Sequence, residues 1–564
     1  MDFEAQLYKY ALQNAVRFNG TANEKTVVGR LLSESEEARK KIDEIRTKAQ
    51  EVCVRVNAMS QDAQAAELKK VAPELLEESR GKKHEERDIF AFLGIRPGEY
   101  VATAFPPEPS KYPHIGHAKA IMLNYLLARK HEGKFYLRFE DTNPELAEKE
   151  FYDIHLDNYS WLGIEPDIID NASNHMEEFS LFADQLIKKG KAYVCTCPTE
   201  IMRENRAKGM ECACRKNELK KIQHLWQDMF LMKEGEAVLR MKIDLTHQNT
   251  TMRDPVLMRI IEKGHPLTGR RYRVWPTYDF ENSIMDGLQK ITHRLRSKEF
   301  ELRNELQRHI QLELGFDQTK IFEFARFNME GVESSGRIIR DKIKNGELVG
   351  WDDPSLTTLV ALRRRGFVPD AIKNFIVNTG ITKAEATLTW DDLIVQNRRI
   401  LDSSCNRYFF IDDPVEIHIR GAPDSTSHLK LHPDYPNRGT RDLITHSGFL
   451  LSRNDFQSLE DNALYRLMDC LNFTRKGNDF SFHSKEVEKY KTAGKKIMHW
   501  LPAADGLVDV TVMMPDKVVR SGKAEPMLKN VKVNEIVQFE RFGFCRLDSI
   551  GGENGQLNFW YTHK

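Results

Sequence analysis

The 564-residue sequence carries no excess of charge, because its 84 lysines and arginines are balanced by 84 aspartates and glutamates. A neutral total gives no indication of a polyanionic partner, although it does not exclude one bound by a local basic surface. The opening residues, MDFEAQLYKY, lack the basic, apolar and small-residue regions of a signal peptide, and no apolar run reaches membrane-spanning length. We therefore expect a soluble, cytoplasmic protein.

Cysteine is also scarce, and eight cysteines in a chain of this length are too few for a disulfide scaffold. Four of them, Cys195, Cys197, Cys212 and Cys214, form two C-x-C pairs, and four thiolates in two close pairs suit tetrahedral zinc. The alternative is four reduced thiols in a loop, because C-x-C arms are less diagnostic than C-x-x-C arms. We predict a structural zinc site here, in an insertion too small to fold easily without one.

The sequence contains no internal repeat, no low-complexity segment and no Ser-His-Asp or Cys-His signature of nucleophilic catalysis. Its length exceeds that of a single hydrophobic core and predicts three to five domains. Between Ser33 and Met59, apolar residues recur at alternating steps of four and three, which predicts an amphipathic helix in a small helical domain. The apolar stripe consists of Ala38, Ile42, Ile45, Ala49, Val52 and Val56.

A change of hydrophobic period at Glu99 predicts the start of a parallel sheet. The strand-like run EYVATAF precedes a proline-rich loop, a helical pattern and a second strand, KFYLRFED, within about forty residues. This order is a βαβ unit and indicates a doubly wound α/β domain. Because ligands bind beyond the carboxyl ends of strands in such sheets, we expect the loop and Arg138, Glu140 and Asp141 to line one crevice.

The loop ends in an H-x-x-H motif formed by His114 and His117. Zinc would require further Cys or His ligands, which the loop does not supply, and two histidines near a helix start are often only structural. Gly116 leaves room for a flat ring or a phosphate, and free N–H groups at the helix start attract an anion. Because two imidazoles would donate hydrogen bonds to that anion, we interpret the motif as a nucleotide-phosphate site rather than a metal site.

Six sequence blocks, taken in order, resemble a glutamate–tRNA ligase (glutamyl-tRNA synthetase) of the archaeal and eukaryotic type: PPEPSKYPHIGHAKA, LRFEDTNP, VWPTYDF, THRLRSKEF, GWDDPSLTTLVALRRRG and NRYFF. These enzymes are class I aminoacyl-tRNA synthetases, and the resemblance covers nearly the whole chain. It implies an α/β Rossmann-type catalytic domain with an N-terminal helical domain, a helical stem-contact domain and C-terminal antiparallel β-barrels. Short alternating runs after Asn406 agree with such barrels.

The expected domain boundaries combine this resemblance with the patterns above. They are an N-terminal helical domain at 1–80, a linker at 81–98, catalytic halves at 99–190 and 256–345, an acceptor-stem insertion with the cysteine cluster at 191–255, a stem-contact domain at 346–405 and anticodon-binding β-barrels at 406–564.

The resemblance implies that the chain activates L-glutamate with ATP to glutamyl-adenylate and transfers it to the 3′ end of tRNA(Glu), with Mg²⁺ arriving with the ATP. Neither step needs a covalent enzyme nucleophile, so catalysis would come from positioning and from stabilising charge on phosphate. We expect a monomer that acts in protein synthesis. Whether tRNA(Gln) is also charged stays open at this point.

The matching motifs assign roles to individual residues. Glu140 stands where the family usually has an aspartate that meets the amino group of the amino acid, and Tyr278 is expected in the same pocket. Arg296 matches the residue that contacts the substrate side chain, which is arginine in glutamate enzymes and uncharged in glutamine enzymes. A guanidinium forks onto a carboxylate and offers no acceptor to an amide. Without the resemblance, Glu140 would be interpreted as a surface carboxylate, Tyr278 as a core residue and Arg296 as a solvated surface charge. The residues implied at the ATP site are Glu108, Pro109, Ser110, His114, Ile115, Gly116, His117, Ala118, Lys119, Ala120, Ser297, Arg326, Phe327, Ser334, Ser335, Gly336 and Arg337.

Three positions depart from the family pattern. The loop at 333–337 reads ESSGR, so Gly336 stands where the family has a lysine aimed at pyrophosphate. Losing such a cation costs roughly 3 kcal/mol of transition-state stabilisation. Ala104 replaces an arginine that helps hold the amino acid, and Lys111 replaces a glycine.

A substitute cation is therefore expected near the phosphates. We predict that Arg337, or Arg340 or Lys342 nearby, supplies it, with Lys111 as a further candidate whose direction the sequence does not reveal. Two alternatives to a glutamate ligase stay open: a glutamine–tRNA ligase, against which Arg296 argues, and a catalytically impaired tRNA-binding paralogue. The missing groups at positions 104 and 336 favour the paralogue.

Overall fold

A computed structural model describes residues 3–17, 20, 22–35, 37–38, 41–73, 75, 88–333, 335–551 and 555–564. The chain divides into two compact units, Met1–Phe92 and Leu93–Lys564. Residues 81–87 of the predicted linker lie outside the described ranges, as does the predicted ATP-site residue Ser334. Within the described ranges, no helix combines the length and the apolar character needed to cross a membrane.

The first unit is helical, as the apolar stripe predicts. Ala38, Ile45, Ala49, Val52 and Val56 are buried in its core. The predicted continuous helix is wrong in one respect, because Ser35 is extended and separates two helices. The helices described in this unit are Phe3–Arg17, Glu24–Glu34, Ile42–Asn57 and Gln61–Val71.

A five-stranded parallel sheet forms the centre of the second unit and confirms the predicted Rossmann-type domain. Taken in chain order, the third, second, first, fourth and fifth strands lie side by side, which is the doubly wound arrangement. The strands are Ala102–Phe105, Lys134–Phe139, Ile168–Asn171, His293–Ser297 and Lys320–Phe324. The helices of this domain are Ile115–Lys130, Lys149–Trp161, Met176–Lys188, Tyr278–Leu288 and Arg303–Leu314.

The insertion between the catalytic halves has an antiparallel four-stranded sheet of its own. Its strands are Ala192–Cys195, Val238–Met241, Val256–Ile260 and Val274–Pro276, and its helices are Thr199–Lys208 and Leu219–Met229. The predicted boundary at residue 255 falls inside this sheet, because its last two strands come after that residue. The insertion therefore extends to Pro276, a pairing that the sequence pattern alone did not reveal.

Four helices precede the β-rich region: Gly336–Lys344, Leu359–Arg365, Pro369–Thr379 and Trp390–Ser404. A short parallel pair joins Asn328–Met329 to Thr387–Leu388. The sequence predicts a helical domain at 346–405, and the last three of these helices lie within that interval.

Two seven-stranded sheets follow, as the alternating runs predict. Most strand pairs are antiparallel, but each sheet also has two parallel pairs, where a segment returns from far along the chain instead of through a hairpin. The first sheet consists of Arg407–Tyr408, Phe410–Asp412, Val508–Met513, Val519–Ala524, Ile536–Phe539, Gly543–Gly551 and Gln556–His563. The second consists of Pro414–Arg420, Gly448–Ser452, Leu464–Leu467, Asn472–Lys476, Asp479–Ser484, Gly494–Met498 and Leu501–Pro502. A separate hairpin pairs Ser425–Lys430 with Thr440–Thr445, and two short helices span Arg453–Gln457 and Val487–Ala493.

Helix Leu359–Arg365 connects the histidine loop to the last strand of the chain. On one side, the Ile115 N–H donates to the carbonyl of Thr357 at 3.0 Å, just before this helix. On the other side, Nη2 of Arg365 donates to the carbonyl of Thr562 at 2.9 Å. A continuous series of hydrogen-bonded segments therefore runs from the loop to the carboxyl-terminal strand.

Candidate active site

A cavity of about 480 Å³ opens at the carboxyl ends of the parallel strands, the edge at which such sheets bind ligands. Most of the predicted site residues line it: Glu108, His114, Ile115, Gly116, His117, Lys119, Ala120, Glu140, Tyr278, Arg296, Ser297, Arg326 and Phe327. The structure thus brings the residues expected for ATP and those expected for glutamate into one space.

The remaining predicted residues do not line the cavity. Ala118 is buried, whereas Arg337 is exposed and begins a helix with Gly336 and its N-cap Ser335. Ser110 donates its hydroxyl to Glu108 Oε2 at 2.7 Å, and the carbonyl of Pro109 accepts from the Glu148 N–H at 3.0 Å. These last two residues stabilise the loop without facing the cavity.

Two of the three charged residues expected in the crevice are turned away from it. Arg138 is fully buried and donates to Asn282 Oδ1 at 2.6 Å. Asp141 accepts from the backbone N–H of Ser173 at 2.8 Å and from the hydroxyl of Tyr152 at 2.8 Å. The expectation that both line the crevice is wrong, because partners distant in sequence hold them elsewhere.

Backbone N–H groups hold the two histidines of the H-x-x-H motif in defined tautomers. Nδ1 of His114 accepts from the Gly116 N–H at 3.0 Å, and Nδ1 of His117 accepts from the His114 N–H at 3.2 Å. Each ring therefore carries its proton on Nε2 and can donate from that atom. Burial, reinforced by the Lys111 charge, lowers the pKa of His114 to about 3. Burial and the neighbouring His114 also lower the pKa of His117 well below its ordinary value. Both rings are neutral donors at physiological pH.

The helix start beside these histidines does not offer free amides, contrary to the sequence-based interpretation. The Ile115 N–H donates to Thr357, and the Gly116 N–H donates to the His114 ring. His114 also explains the glycine, because a Cβ at position 116 would lie 2.8 Å from Cε1 of its ring. The hydrogen-bond donors that remain beside this part of the cavity are thus the imidazole Nε2–H groups rather than these backbone N–H groups.

Arg296 lines the same cavity in a fixed orientation. Its Nε donates to Asn304 Oδ1 at 3.0 Å, and one of its Nη atoms donates to the same oxygen. The side chain is 7% exposed and lines the cavity, so its other Nη group can reach a ligand. A guanidinium in this position suits a carboxylate.

Tyr278 and Glu140 also contribute polar groups to the cavity lining. The Tyr278 ring lies 5.3 Å from that of Phe300, and burial raises the pKa of the Tyr278 hydroxyl, which therefore stays protonated. Glu140 accepts a 2.7 Å hydrogen bond from the hydroxyl of Thr142, and burial raises the pKa of Glu140 to about 7. A cationic amino group beside Glu140 would favour its ionised form.

A buried charge cluster lies beneath the cavity floor, and sequence analysis missed it. Arg294 lines the cavity and donates to Asn282 Oδ1 at 2.5 Å and to Asp286. Asp286 also accepts from Arg138 Nη2 at 3.1 Å. Glu281 lies 3.4 Å from Arg138 Nε, and burial raises the pKa of Glu281 to about 8. The available signal was the spacing of two in the strand H-R-L-R-S, which places Arg294 on the same face as Arg296.

The predicted ATP residues at the cavity rim differ in their partners. The hydroxyl of Ser297 is buried and has no hydrogen-bond partner among the described residues. Lys119 Nζ donates to the Ala325 carbonyl at 3.1 Å and lies 4.4 Å from the centre of the Phe327 ring. Arg326 forms an ion pair with Glu299. Of these groups, only the Ser297 hydroxyl has its whole hydrogen-bonding capacity available.

The four cysteines of the insertion form one compact cluster, as their spacing predicts. The four Sγ atoms lie within 4.8 Å of one another. Cys195 Sγ is 3.9 Å from Cys212 Sγ, and Cys197 Sγ is 3.8 Å from Cys214 Sγ. Four sulfurs at about 2.3 Å from a tetrahedral zinc would be about 3.8 Å apart. The donor set and its spacing therefore fit zinc.

Fold and cavity together define a nucleotide-binding α/β enzyme. The protein-family model of the class I (E and Q) tRNA synthetase catalytic domain matches residues 100–403. Two models of the anti-codon binding domain of the same synthetases match residues 405–492 and 497–548. The chain belongs to the class I (E and Q) tRNA synthetases.

Full-length relatives agree with this assignment. A glutamate–tRNA ligase of Pyrococcus abyssi is 40% identical, with 100% of both chains covered. That of Methanothermobacter thermautotrophicus is 38% identical over 100% of this chain and 99% of its own. These relatives confirm the resemblance carried by the six sequence blocks. A solved glutamate tRNA ligase from Elizabethkingia meningosepticum is 20% identical, covers 55% of this chain and 71% of its own, and has a TM-score of 0.42.

Proposed function

We propose that this chain is a glutamate–tRNA ligase that activates L-glutamate with ATP and transfers it to the 3′ end of tRNA(Glu). The observation that carries the proposal is the shared cavity, which is lined both by neutral histidine donors and by an oriented arginine. This pairing suits a reaction that joins a carboxylate to a nucleotide phosphate. The same arginine argues against glutamine as the substrate, because it offers no acceptor to an amide.

Glutamate binding is assigned to the Arg296 end of the cavity. The guanidinium, oriented by Asn304, receives the side-chain carboxylate in a charge-assisted contact. Ionised Glu140 receives the amino group, and the protonated Tyr278 hydroxyl supplies a donor beside it. These contacts leave the α-carboxylate directed toward the histidine end.

Adenylate formation is assigned to the His114 end. The α-carboxylate attacks the α-phosphorus of ATP, the bond to the β-phosphate breaks, and pyrophosphate leaves. The Nε2–H groups of His114 and His117 donate to the phosphate oxygens as charge develops there. We assign the Ser297 hydroxyl, which has no partner among the described residues, to nucleotide binding, with Mg²⁺ arriving with the ATP. Transfer follows when a hydroxyl of the terminal ribose of tRNA attacks the activated carbonyl and AMP leaves.

The partner is tRNA(Glu), held by the stem-contact helices and the two β-sheets of the anticodon-binding region. We assign the enzyme to the cytoplasm as a monomer, where tRNA charging supplies protein synthesis. Whether tRNA(Gln) also receives glutamate is decided by the charging assay below.

A structural zinc ion is assigned to Cys195, Cys197, Cys212 and Cys214. The sulfur spacing described above supports this assignment, because all four Sγ atoms lie within 4.8 Å of one another. When bound, the ion would neutralise four close thiolates and stabilise the insertion fold without taking part in the reaction.

Charging of transcripts tests the function. Transcripts of tRNA(Glu) and tRNA(Gln) are incubated with ATP and labelled glutamate or glutamine, and the acylated tRNA is counted. We expect glutamate on tRNA(Glu) and glutamine on neither transcript, and the same assay decides whether tRNA(Gln) also receives glutamate. Glutamine transfer would establish a glutamine ligase. Binding of tRNA without any transfer would establish the inactive paralogue, which Ala104 and Gly336 favour.

A further inference from the structure

The phosphate end of the cavity needs a positive charge that its histidines do not supply, because both are neutral. Among the described residues, five cationic side chains line the cavity, and four of them have partners within the protein. Lys119 donates to the Ala325 carbonyl, Arg294 pairs with Asp286, Arg296 donates to Asn304, and Arg326 pairs with Glu299. The fifth is Lys111.

The Lys111 ammonium has neither a hydrogen-bond nor an ion-pair partner in the part of the chain that the structure describes. Its side chain lies against Gly336, since a Cβ added to that glycine would be 2.9 Å from Lys111 Cδ. After burial, the charge of Lys111 is the next cause of the lowered pKa of His114, and it also acts on His117. Lys111 is therefore an uncommitted cation beside both histidine donors.

The backbone around Lys111 is fixed on both sides. The Lys111 carbonyl is 2.9 Å from Nε2 of His155, which is fully buried and also bonded to the hydroxyl of Tyr159. The carbonyl of Ser110 accepts from Nη2 of Arg340 at 3.0 Å. The root of the lysine side chain is thereby held in place, as electrostatic catalysis requires of a charged group.

The cations expected from the sequence do not line the cavity. Arg340 is used to hold the loop backbone and does not line the cavity. Neither Arg337 nor Lys342 lines it, and Arg337 is exposed. The prediction that one of these three residues supplies the phosphate-facing charge is therefore not supported by their positions.

We propose that Lys111 is the catalytic cation for the phosphates, stabilising negative charge on the pyrophosphate as it leaves, and that Gly336 provides the space for its side chain. This inference rests on the proposed ligase function. It explains two departures from the family pattern as one exchange: a lysine has appeared at position 111, and the side chain that would collide with it is absent from position 336. A lysine at both positions would place two like charges and two stems in one space.

Glutamate-dependent exchange of labelled pyrophosphate into ATP, with the tRNA(Glu) transcript present, tests the proposal. Lys111→Ala is expected to lower kcat about 100- to 1,000-fold. Lys111→Arg is expected to stay within about tenfold of wild type, since the charge is kept. Lys149→Ala, at an exposed lysine on helix Lys149–Trp161, is the matched control and is expected to be unchanged. Exchange by Lys111→Ala within twofold of wild type would overturn the proposal.

The paired substitution provides a stricter test. The double substitution Lys111→Gly with Gly336→Lys returns a lysine to the other side of the same contact. We expect its kcat for pyrophosphate exchange to be at least tenfold higher than that of Lys111→Gly alone. No recovery, combined with unchanged thermal unfolding, would contradict the exchange.

Pyrophosphate binding separates this inference from the function on which it rests. Titration of inorganic pyrophosphate into wild type and Lys111→Ala is expected to show at least tenfold weaker binding by the variant. If the wild-type protein neither exchanges pyrophosphate into ATP nor charges tRNA, the proposed ligase function is wrong. The titration then still tests whether Lys111 contributes to pyrophosphate binding. Equal affinities would exclude Lys111 even if the enzyme is active.

Discussion

Asn304 Oδ1 accepts hydrogen bonds from Arg296 twice, from Nε at 3.0 Å and from one Nη. The amide therefore sets the orientation in which the guanidinium faces the cavity. We expect Asn304→Ala to raise the KM for glutamate about tenfold, equivalent to about 1.4 kcal/mol, and to leave the KM for ATP unchanged. Asn304→Asp is expected to raise it further, because its carboxylate would compete with the substrate for Arg296. The measurement is steady-state charging of tRNA(Glu). Arg308→Ala, exposed on the same helix, is the control, and an equal effect there would refute the positioning role.

The neutral state of the two histidines has a kinetic consequence. His117→Ala removes an Nε2–H donor, and we expect kcat for pyrophosphate exchange to fall about 100-fold. Because the pKa of His114 is about 3 and that of His117 is also depressed, neither ring changes charge between pH 5.5 and 8. The wild-type and variant pH profiles should therefore be parallel over this range. A wild-type inflection near pH 6.5 that disappears in His117→Ala would show instead that the ring titrates.

The buried carboxyl of Glu281 makes stability depend on pH. Burial raises its pKa from 4.5 to about 8, so between these values the folded protein holds a proton that the unfolded chain releases. The free energy of unfolding should therefore decrease as the pH rises through this window. Glu281→Gln stays neutral and should be more stable than wild type at pH 9, by on the order of a few kcal/mol. Urea unfolding at pH 6 and pH 9 measures the difference. Glu200→Gln removes an exposed carboxylate and should have the same free energy of unfolding as wild type at both pH values. If the free energy of unfolding fell equally in both variants between pH 6 and pH 9, the assignment would be refuted.

The cysteine cluster predicts that the purified protein contains zinc. Protein purified without chelator should contain about one zinc per chain, and Cys197→Ser should lower both that ratio and the melting temperature of the insertion. Cys470→Ser, at a half-buried cysteine outside the cluster, should retain the metal. The readout is elemental analysis combined with thermal unfolding. A ratio near zero in freshly purified wild type would exclude the site.

Features encoded by neighbouring residues were predictable from the sequence. The βαβ unit, the apolar stripe of the first unit and the cysteine cluster follow from spacing alone, because periodicity and short motifs place those residues on one face or in one loop. The resemblance then placed Tyr278 and Arg296 in one pocket, where the structure also has them.

Features that depend on contacts between distant segments were not predictable. The direction of Arg138 is set by residues about 145 positions away, and that of Lys111 by the absence of a side chain at position 336. The limit of the insertion depends in the same way on a strand pairing that follows residue 255. Of the free amides expected at the helix start, that of Gly116 donates to a side chain two residues earlier, a local contact whose direction the motif does not specify. That of Ile115 donates to the distant carbonyl of Thr357.

The hydrogen bond between Arg365 and the carbonyl of Thr562 also bears on how the enzyme matures on the ribosome. Strand Gln556–His563 is synthesised long after the catalytic sheet, yet it supports the helix that follows Thr357, the hydrogen-bond partner of the histidine loop. The catalytic sheet can form while synthesis continues, but the loop gains its full support only after this strand emerges. In a nascent chain, the full support of the histidine loop would therefore depend on a strand that lies far beyond the loop in the sequence.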